Sequence, residues 1–307
     1  MTIINTILEK MEKSVVEVPV NRKYWLVRTE SGFYYDDFIK QGKISVGWNE
    51  FSNKSFFLDK KASDIQKDLI SKAYPKVKQP SRIYNQIRKF IFELKIGDVV
   101  MIPDENSKTI SFGVIKSDYY CKENASKYEF IKSRDVEWIK TIARKNLDPY
   151  LYKMMHAHQT INSANAYKYA HYIDRSMYSL FNKGENCYLN IKIGRKGNLP
   201  AYDLSRYLES VLKAIELTND IKFNGYENDY HKLEDLDIKV NVQSRGWSLL
   251  SGSKKLITQF AVVSNAALYE DIDDLISDES TRIRKEKIQE IKDGMKRANA
   301  DFPDDLI

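Results

Sequence analysis

What most constrains this chain is a series of short, aromatic-rich β words strung between Lys23 and Trp138. Tyr24-Trp-Leu-Val-Arg28 opens the series, Gly42-Lys-Ile-Ser-Val-Gly-Trp48 follows, and Arg134-Asp-Val-Glu-Trp138 closes it. Such runs, rich in Val, Ile and aromatic residues and punctuated by glycine, read as strands. The same stretch carries most of the positive charge. Residues 21–180 hold 28 Lys and Arg against 18 Asp and Glu, a net of +10, in a chain whose total is +6. Residues 1–20 come to −1 and residues 181–307 to −3. Concentrated positive charge is the footprint of a phosphate-backbone binder, although a solvated lysine-rich surface has the same composition.

At 307 residues there is room for two domains, each with its own core. No apolar run approaches the length of a membrane span. The segment Met1–Lys10 lacks a basic start followed by an apolar stretch, so it reads as no secretory signal. Cys121 and Cys187 stand far apart and fit neither a disulfide framework nor a zinc pattern, which suits a reducing cytoplasm. His156 and His158 are two residues apart, on different sides of a helix, and make no metal pair. No cofactor is expected.

Along the chain, Ile3, Ile4, Ile7, Leu8 and Met11 predict a short lead helix, and residues 15–20 a connector. A strand over 24–28 precedes a helix over 33–41, ended by Gly42 as helix C-termini prefer. Another strand covers 44–48. Helices are expected near 62–73 and 82–93, the second with Ile83, Ile87, Phe90 and Ile91 on one face. Residues 95–102 and 109–115 form a hairpin across the turn at 103–107. A strand at 133–140 and a mainly helical stretch at 148–180 complete this half, with a polar insert at 158–163. Residues 181–186 form the expected domain boundary. Beyond it come a strand over 187–193, a helix over 203–217, strands over 236–242 and 256–263, and a charged helix over 279–298. The expected division is a lead helix and connector over 1–20, a binding domain over 21–180, a smaller α+β module over 185–270, and a charged C-terminal helix and tail over 271–307.

In that order the middle words resemble the EVE/PUA-like modules, related to YTH domains, that precede the nuclease in modification-dependent restriction endonucleases. Tyr24–Arg28, Ile44–Trp48, Phe92-Glu-Leu-Lys-Ile-Gly-Asp-Val-Val100, Phe112-Gly-Val-Ile115 with Asp118-Tyr-Tyr120, Arg134–Trp138 and His158-Gln-Thr-Ile161 carry the resemblance. It covers about residues 22–175, half of the chain. The resemblance implies an α+β fold: a PUA/EVE-like β-barrel with peripheral helices, followed here by a smaller α+β domain. It also implies a flipped, modified base held in an aromatic pocket.

Extruding a base costs a few kcal/mol, and aromatic walls recover about 1–3 kcal/mol per stacked base. With the first strand ending at Arg28-Thr29 and the second at Gly47-Trp48, the two ends are expected side by side at one barrel mouth. Trp48 is then a cage wall, and Arg28 and Thr29 contact the base edge or a phosphate. Strand alternation puts Trp25 on the face opposite Arg28, in the core, and Trp138 is a packing residue. His158 and Gln159 reach the base or backbone, or else belong to a polar helix break capped by Thr160. Tyr119 and Tyr120 line the groove or pack on the surface.

The second half carries no catalytic motif. There is no GxxxxGK[ST] phosphate loop. Asp237-Ile-Lys239, with Asp229 or Glu234, is the nearest approach to a metal-dependent nuclease centre, and a D-x-K of this kind is expected by chance. Ser244, Ser248, Ser251 and Ser253 flank glycines but form no nucleophile elbow. Gly194-Arg-Lys-Gly197 reads as a βα turn or an anion site.

The expected function is a DNA-binding reader of a modified base in a bacterial restriction or phage-defence system. Its C-terminal module would recruit a nuclease or NTPase effector, or form a homo-oligomer. A metal-dependent nuclease with its acids in residues 185–263, and an RNA-binding PUA-like protein, are the alternatives.

Overall fold

The first helix, α1 (Ile3–Ser14), packs with the far end of the chain. Leu8, Met11 and Val15 enter the same core as Leu189, Val211, Phe260 and Met295. The short strand after it, β1 (Val16–Glu17), pairs parallel with Phe181-Asn182. The computed structural model describes residues 3–59, 63–122, 130–164, 167–193, 199–221, 223, 230–241, 246–269 and 281–302. Residues 21–177 form one unit; residues 1–20 and 178–307 together form the other.

The middle unit begins with β2 (Tyr24–Val27), all four residues of which are buried. Alternation splits them. Tyr24 donates its hydroxyl to the Asp174 carboxylate at 2.7 Å, and Trp25 donates its indole N–H to Asp98 at 2.9 Å. Trp25 is core. Next come α2 (Tyr35–Lys40), β3 (Lys43–Val46), α3 (Ser63–Ala73) and α4 (Pro80–Arg88). Pro80 starts α4 at a position where its missing N–H costs nothing. Ile83, Tyr84 and Ile87 give the helix its buried face. Residues Lys89–Glu93 continue it as a π-helical turn.

The predicted hairpin is present as β4 (Val99–Pro103) and β5 (Thr109–Ile115), in register Val99 opposite Val114. After β6 (Tyr120–Cys121), the long strand β7 (Lys132–Ala143) pairs with β5 through its second half. The two approach so closely at Gly113 that a Cβ there would lie 2.4 Å from Val136 and 2.7 Å from Trp138. The unit ends with α5 (Pro149–Met155), β8 (Ile161–Ser163) and α6 (Tyr167–Met177).

These strands form one seven-stranded sheet in the order β3-β7-β5-β4-β2-β8, with β6 beside β7. It is a curled half-barrel: among the described residues β3 and β8, its two edges, share no ladder. The expected side-by-side ends of β2 and β3 therefore do not occur, because β7, β5 and β4 lie between those strands in the sheet. The fold is α+β with an open, curled sheet.

In the other unit, β9 (Leu180–Lys183) and β10 (Asn186–Lys192) form a hairpin. The division of the chain thus falls at 177/178, ahead of the expected boundary at 181–186. Helix α7 (Ala201–Asp220), β11 (Asp237–Asn241) and β12 (Trp247–Gly252) follow, then α8 (Lys254–Tyr269) and α9 (Thr281–Arg297). The sheet order is β1-β9-β10-β12-β11. Residues 256–263, expected as a strand, belong to α8. All eight are buried, the polar Thr258 and Gln259 included, and a segment covered on every side carries no period that separates helix from strand. Residues 247–252, which lie between the two predicted strands, supply β12. Helix α9 crosses α7 closely enough that a Cβ on Gly294 would sit 2.5 Å from the Arg206 carbonyl oxygen. The lead helix and the C-terminal helix are thus integral parts of this unit's core.

Candidate functional site

Helix α4 is joined to β8, one edge of the sheet, through Gln86. Gln86 lies on its buried face, at 2% exposure, among Ile83, Ile87 and Tyr84. Its Oε1 accepts from the main-chain amide of Ile161 in edge strand β8 at 2.5 Å, and its Nε2 donates to Oε1 of Gln159 at 3.1 Å. A side chain of α4 therefore satisfies a main-chain donor of the sheet edge, which an open edge otherwise leaves exposed.

Two cavities meet at this helix. One, of about 550 Å³, is lined by Trp48, Ile83, Arg82, Gln86, His158 and Thr160, and by Val77, Lys78 and Gln79. The other, of about 510 Å³, is lined by Asn85, Gln159, Arg88, Lys89 and Glu93 and by Ser81. Gln79, Arg82 and Gln86 belong to both. Each lies within the range of small-ligand sites, roughly 300–1,000 Å³. The first combines an indole and aliphatic side chains with an imidazole and a hydroxyl. The second is polar, with three cationic side chains, Arg82, Arg88 and Lys89, against the single carboxylate of Glu93.

Trp48 follows β3 and is half-buried, with φ at 61°. A bulky residue in the left-handed region is an outlier that its surroundings must hold in place. Lys132, fully buried at the start of β7, does so by donating to the Trp48 carbonyl at 2.6 Å, and Phe51 donates its amide to the same oxygen at 3.0 Å. Burial lowers the Lys132 pKa to about 8, with the charges of Cys121 and Glu50 opposing that drop. The indole also packs beside the apolar cluster of Phe57, Ile70 and Ile83.

Arg28 reaches the same region from the other side of the chain, as a main-chain clamp. Its Nε and Nη2 donate to the Ala157 carbonyl at 3.0 and 2.7 Å, and Nη2 also donates to the Met155 carbonyl. Met155 is the last residue of α5, so its carbonyl has no helical partner, and Ala157 follows the C-cap. The Arg28 amide also donates to Thr160 O at 2.8 Å. Arg28 thereby fixes the segment that presents His158 and Gln159, and its own burial lowers its pKa.

Of the residues expected at a base pocket, Trp48 and His158 share one cavity, and Gln159 lines the adjoining one. Thr29 is elsewhere: it is 1% exposed and donates its hydroxyl to the Pro103 carbonyl at 2.6 Å. Tyr119 and Tyr120 also lie outside both cavities. Tyr119 donates to the Ser52 carbonyl at 2.5 Å and meets Phe90 edge-on, and burial raises its pKa. Tyr120 donates to Asp135 at 2.7 Å, and burial together with that carboxylate pushes its pKa up to about 12. Trp138 packs, donating to the Phe38 carbonyl at 3.1 Å.

The sequence reading missed Gln86, Arg82 and Lys132. Gln86 did carry a signal: it is a polar residue set into the apolar stripe of Ile83, Ile87 and Phe90. In the other unit, Asp237 and Lys239 are exposed on edge strand β11, and Glu234 precedes it. Asp229 and Gly194–Gly197 lie outside the described residues, as does Ser244. Among the described residues no group of three His, Cys, Asp or Glu side chains could hold a metal ion, and no helix is long and apolar enough to cross a membrane.

Residues 23–165 match the model of a family described as a domain of unknown function, DUF8426. No curated protein matches the chain, and no solved structure does. The matched span lies within the middle unit and contains every residue that lines the two cavities.

Proposed function

We propose that the middle unit binds nucleic acid and holds one extruded, modified DNA base in the cavity beside Trp48. In this reading the curled sheet is an EVE/PUA-like half-barrel, and the protein is a reader in a bacterial restriction or phage-defence system. The C-terminal unit would recruit an effector or form a dimer. One observation carries the reading: an indole, an imidazole and a buried carboxamide line a cavity that adjoins a second one bearing Arg82, Arg88 and Lys89.

The division of labour follows from chemistry. Stacking on Trp48 offsets the cost of unstacking the base, about 1–3 kcal/mol against a few. The guanidinium and ammonium groups of the adjoining cavity hold backbone phosphates, which gives affinity without sequence preference.

The test is binding of the full chain, at fixed salt, to matched duplexes. These carry unmodified, 5-methyl-, 5-hydroxymethyl- or glucosylated cytosine, or 6-methyladenine. The expected result is a clear preference for one modification, lost in Trp48→Ala while salt-sensitive binding to plain DNA persists. Uniform weak binding to all duplexes would overturn the reading. Tighter binding to RNA than to any of them would move it to the RNA-binding class.

A further inference from the structure

We infer that β11 is a docking edge for a second copy of this chain, which pairs with it antiparallel about Ile238 and joins the two sheets into one. This builds on the dimer proposed above for the C-terminal unit and rests on nothing in the middle unit.

Strand β11 closes one side of its sheet: among the described residues it pairs with β12 alone. The opposite edge, β1, is two residues long and offers little to pair. Along β11 the side chains alternate, with Asp237 and Lys239 exposed on one face and Ile238 and Val240 half-buried on the other. Ile238 and Val240, with Leu236 just before them, pack against the core of their unit. Leu236 is itself extended, at φ −107° and ψ 119°, so pairing can begin there. An edge strand presents a row of main-chain donors and acceptors to any strand that fits it.

A lysine on an edge strand commonly guards it against pairing. Here an acid stands two residues away on the same face, and the two charges select one register. A two-fold axis through an antiparallel pair sets one residue opposite itself, and directly opposed side chains share a face. Like charges directly opposite are destabilising, and opposite charges are stabilising. An axis at Asp237 opposes two carboxylates, and an axis at Lys239 opposes two ammonium groups. An axis at Val240 sets Lys239 against Asn241, with no opposite charge. An axis at Ile238 sets Asp237 against Lys239 of the other copy, twice, and Leu236 against Val240. The Asp237-Ile-Lys239 triplet is thus complementary to itself. The contact is isologous, so it closes at two copies.

The test is sedimentation of the full chain, without DNA, over a range of concentrations. Wild type is expected as a dimer that dissociates on dilution, since a five-residue strand makes a small interface. Asp237→Lys and Lys239→Asp should each lower dimer affinity by roughly tenfold or more, because either swap sets like charges together at both opposed pairs. Both positions are exposed, so each variant should keep its fold, which its melting temperature checks. Mixed one to one, the two variants should form a heterodimer, because every opposed pair again joins a lysine to an aspartate.

A wild-type chain that stays monomeric throughout would overturn the inference. So would a dimer that either single variant keeps, which would put the contact elsewhere. A mixture that stays monomeric after both variants have lost the dimer overturns it as well. None of these results touches the binding of a modified base, which the duplex assay reads separately, and uniform binding in that assay leaves the dimer standing.

Discussion

The Lys132 ammonium donates to the Trp48 carbonyl at 2.6 Å, joining a fully buried charge to a tryptophan held at φ 61°. The indole that walls the cavity is thus positioned from behind by a strand 84 residues further along the chain.

That arrangement has a pH signature. Burial lowers the Lys132 pKa from 10.5 to about 8 in the fold. Between these values the unfolded chain binds the proton and the folded chain does not, so stability rises with pH across that window. Below about pH 8 both states are protonated and the cost of burying the charge is felt in full. Lys132→Met should remove the rise. Urea unfolding at pH 7 and at pH 10 checks this; equal pH responses of wild type and variant would show that Lys132 does not titrate in the fold.

Arg28 is expected to act on stability first and on binding second. Arg28→Met leaves the Met155 and Ala157 carbonyls without their charged donor, a cost of about 2–3 kcal/mol. Faster proteolysis around His156–Gln159 should accompany the lower melting temperature. Arg28→Lys should recover only part, since an ammonium cannot reproduce the planar fork. An unchanged melting temperature in Arg28→Met would show that the clamp is dispensable.

Arg134 has a parallel task at the π-helical turn. Buried at 1% exposure, it donates to the carbonyls of Phe90 and Ile91 at 2.9 Å and of Ser117 at 3.1 Å. Arg134→Met should cost about 3 kcal/mol or more, because three main-chain acceptors lose a charged partner. Hydrogen exchange at residues 89–94 should accelerate more than exchange in β4. Uniform acceleration across the unit would mean that Arg134 supports the fold at large and not this turn.

Arg82, Arg88 and Lys89 are expected to differ from these clamps. Replacing any one with Ala should lower the slope of log affinity against log salt by about one, with little loss of modification preference. Arg88 also stands over the Phe92 ring at 5.7 Å, so its replacement should lower stability slightly as well. A preference that disappears with the slope would place these cations against the base instead of the backbone.

Much of the local structure was legible in the sequence. The hairpin of β4 and β5 follows from two apolar runs around Pro103-Asp-Glu-Asn, and α4 follows from Pro80 and the spacing of Ile83, Ile87 and Phe90. The buried place of Trp25 follows from its position on a short strand. Trp48 and His158 line one cavity and Gln159 the adjoining one, while the geometry the sequence suggests for them, adjacent strand ends, does not occur. Thr29 was placed at that region from its position at a strand end, but strand position says nothing of depth, and its hydroxyl is spent on the Pro103 carbonyl.

By itself, then, the sequence determined which faces are apolar, where turns fall and where positive charge gathers, because each is encoded in residues a few positions apart. Tertiary structure decided the partners. Gln86 finds the Ile161 amide 75 residues away, Lys132 finds Trp48, and α1 joins a core built from residues beyond 178. It also decided that residues 256–263 are helical, through burial on all sides that no local period records. Periodicity reports that a face must be covered, but what covers it depends on how the sheet curls and where its edges come to rest.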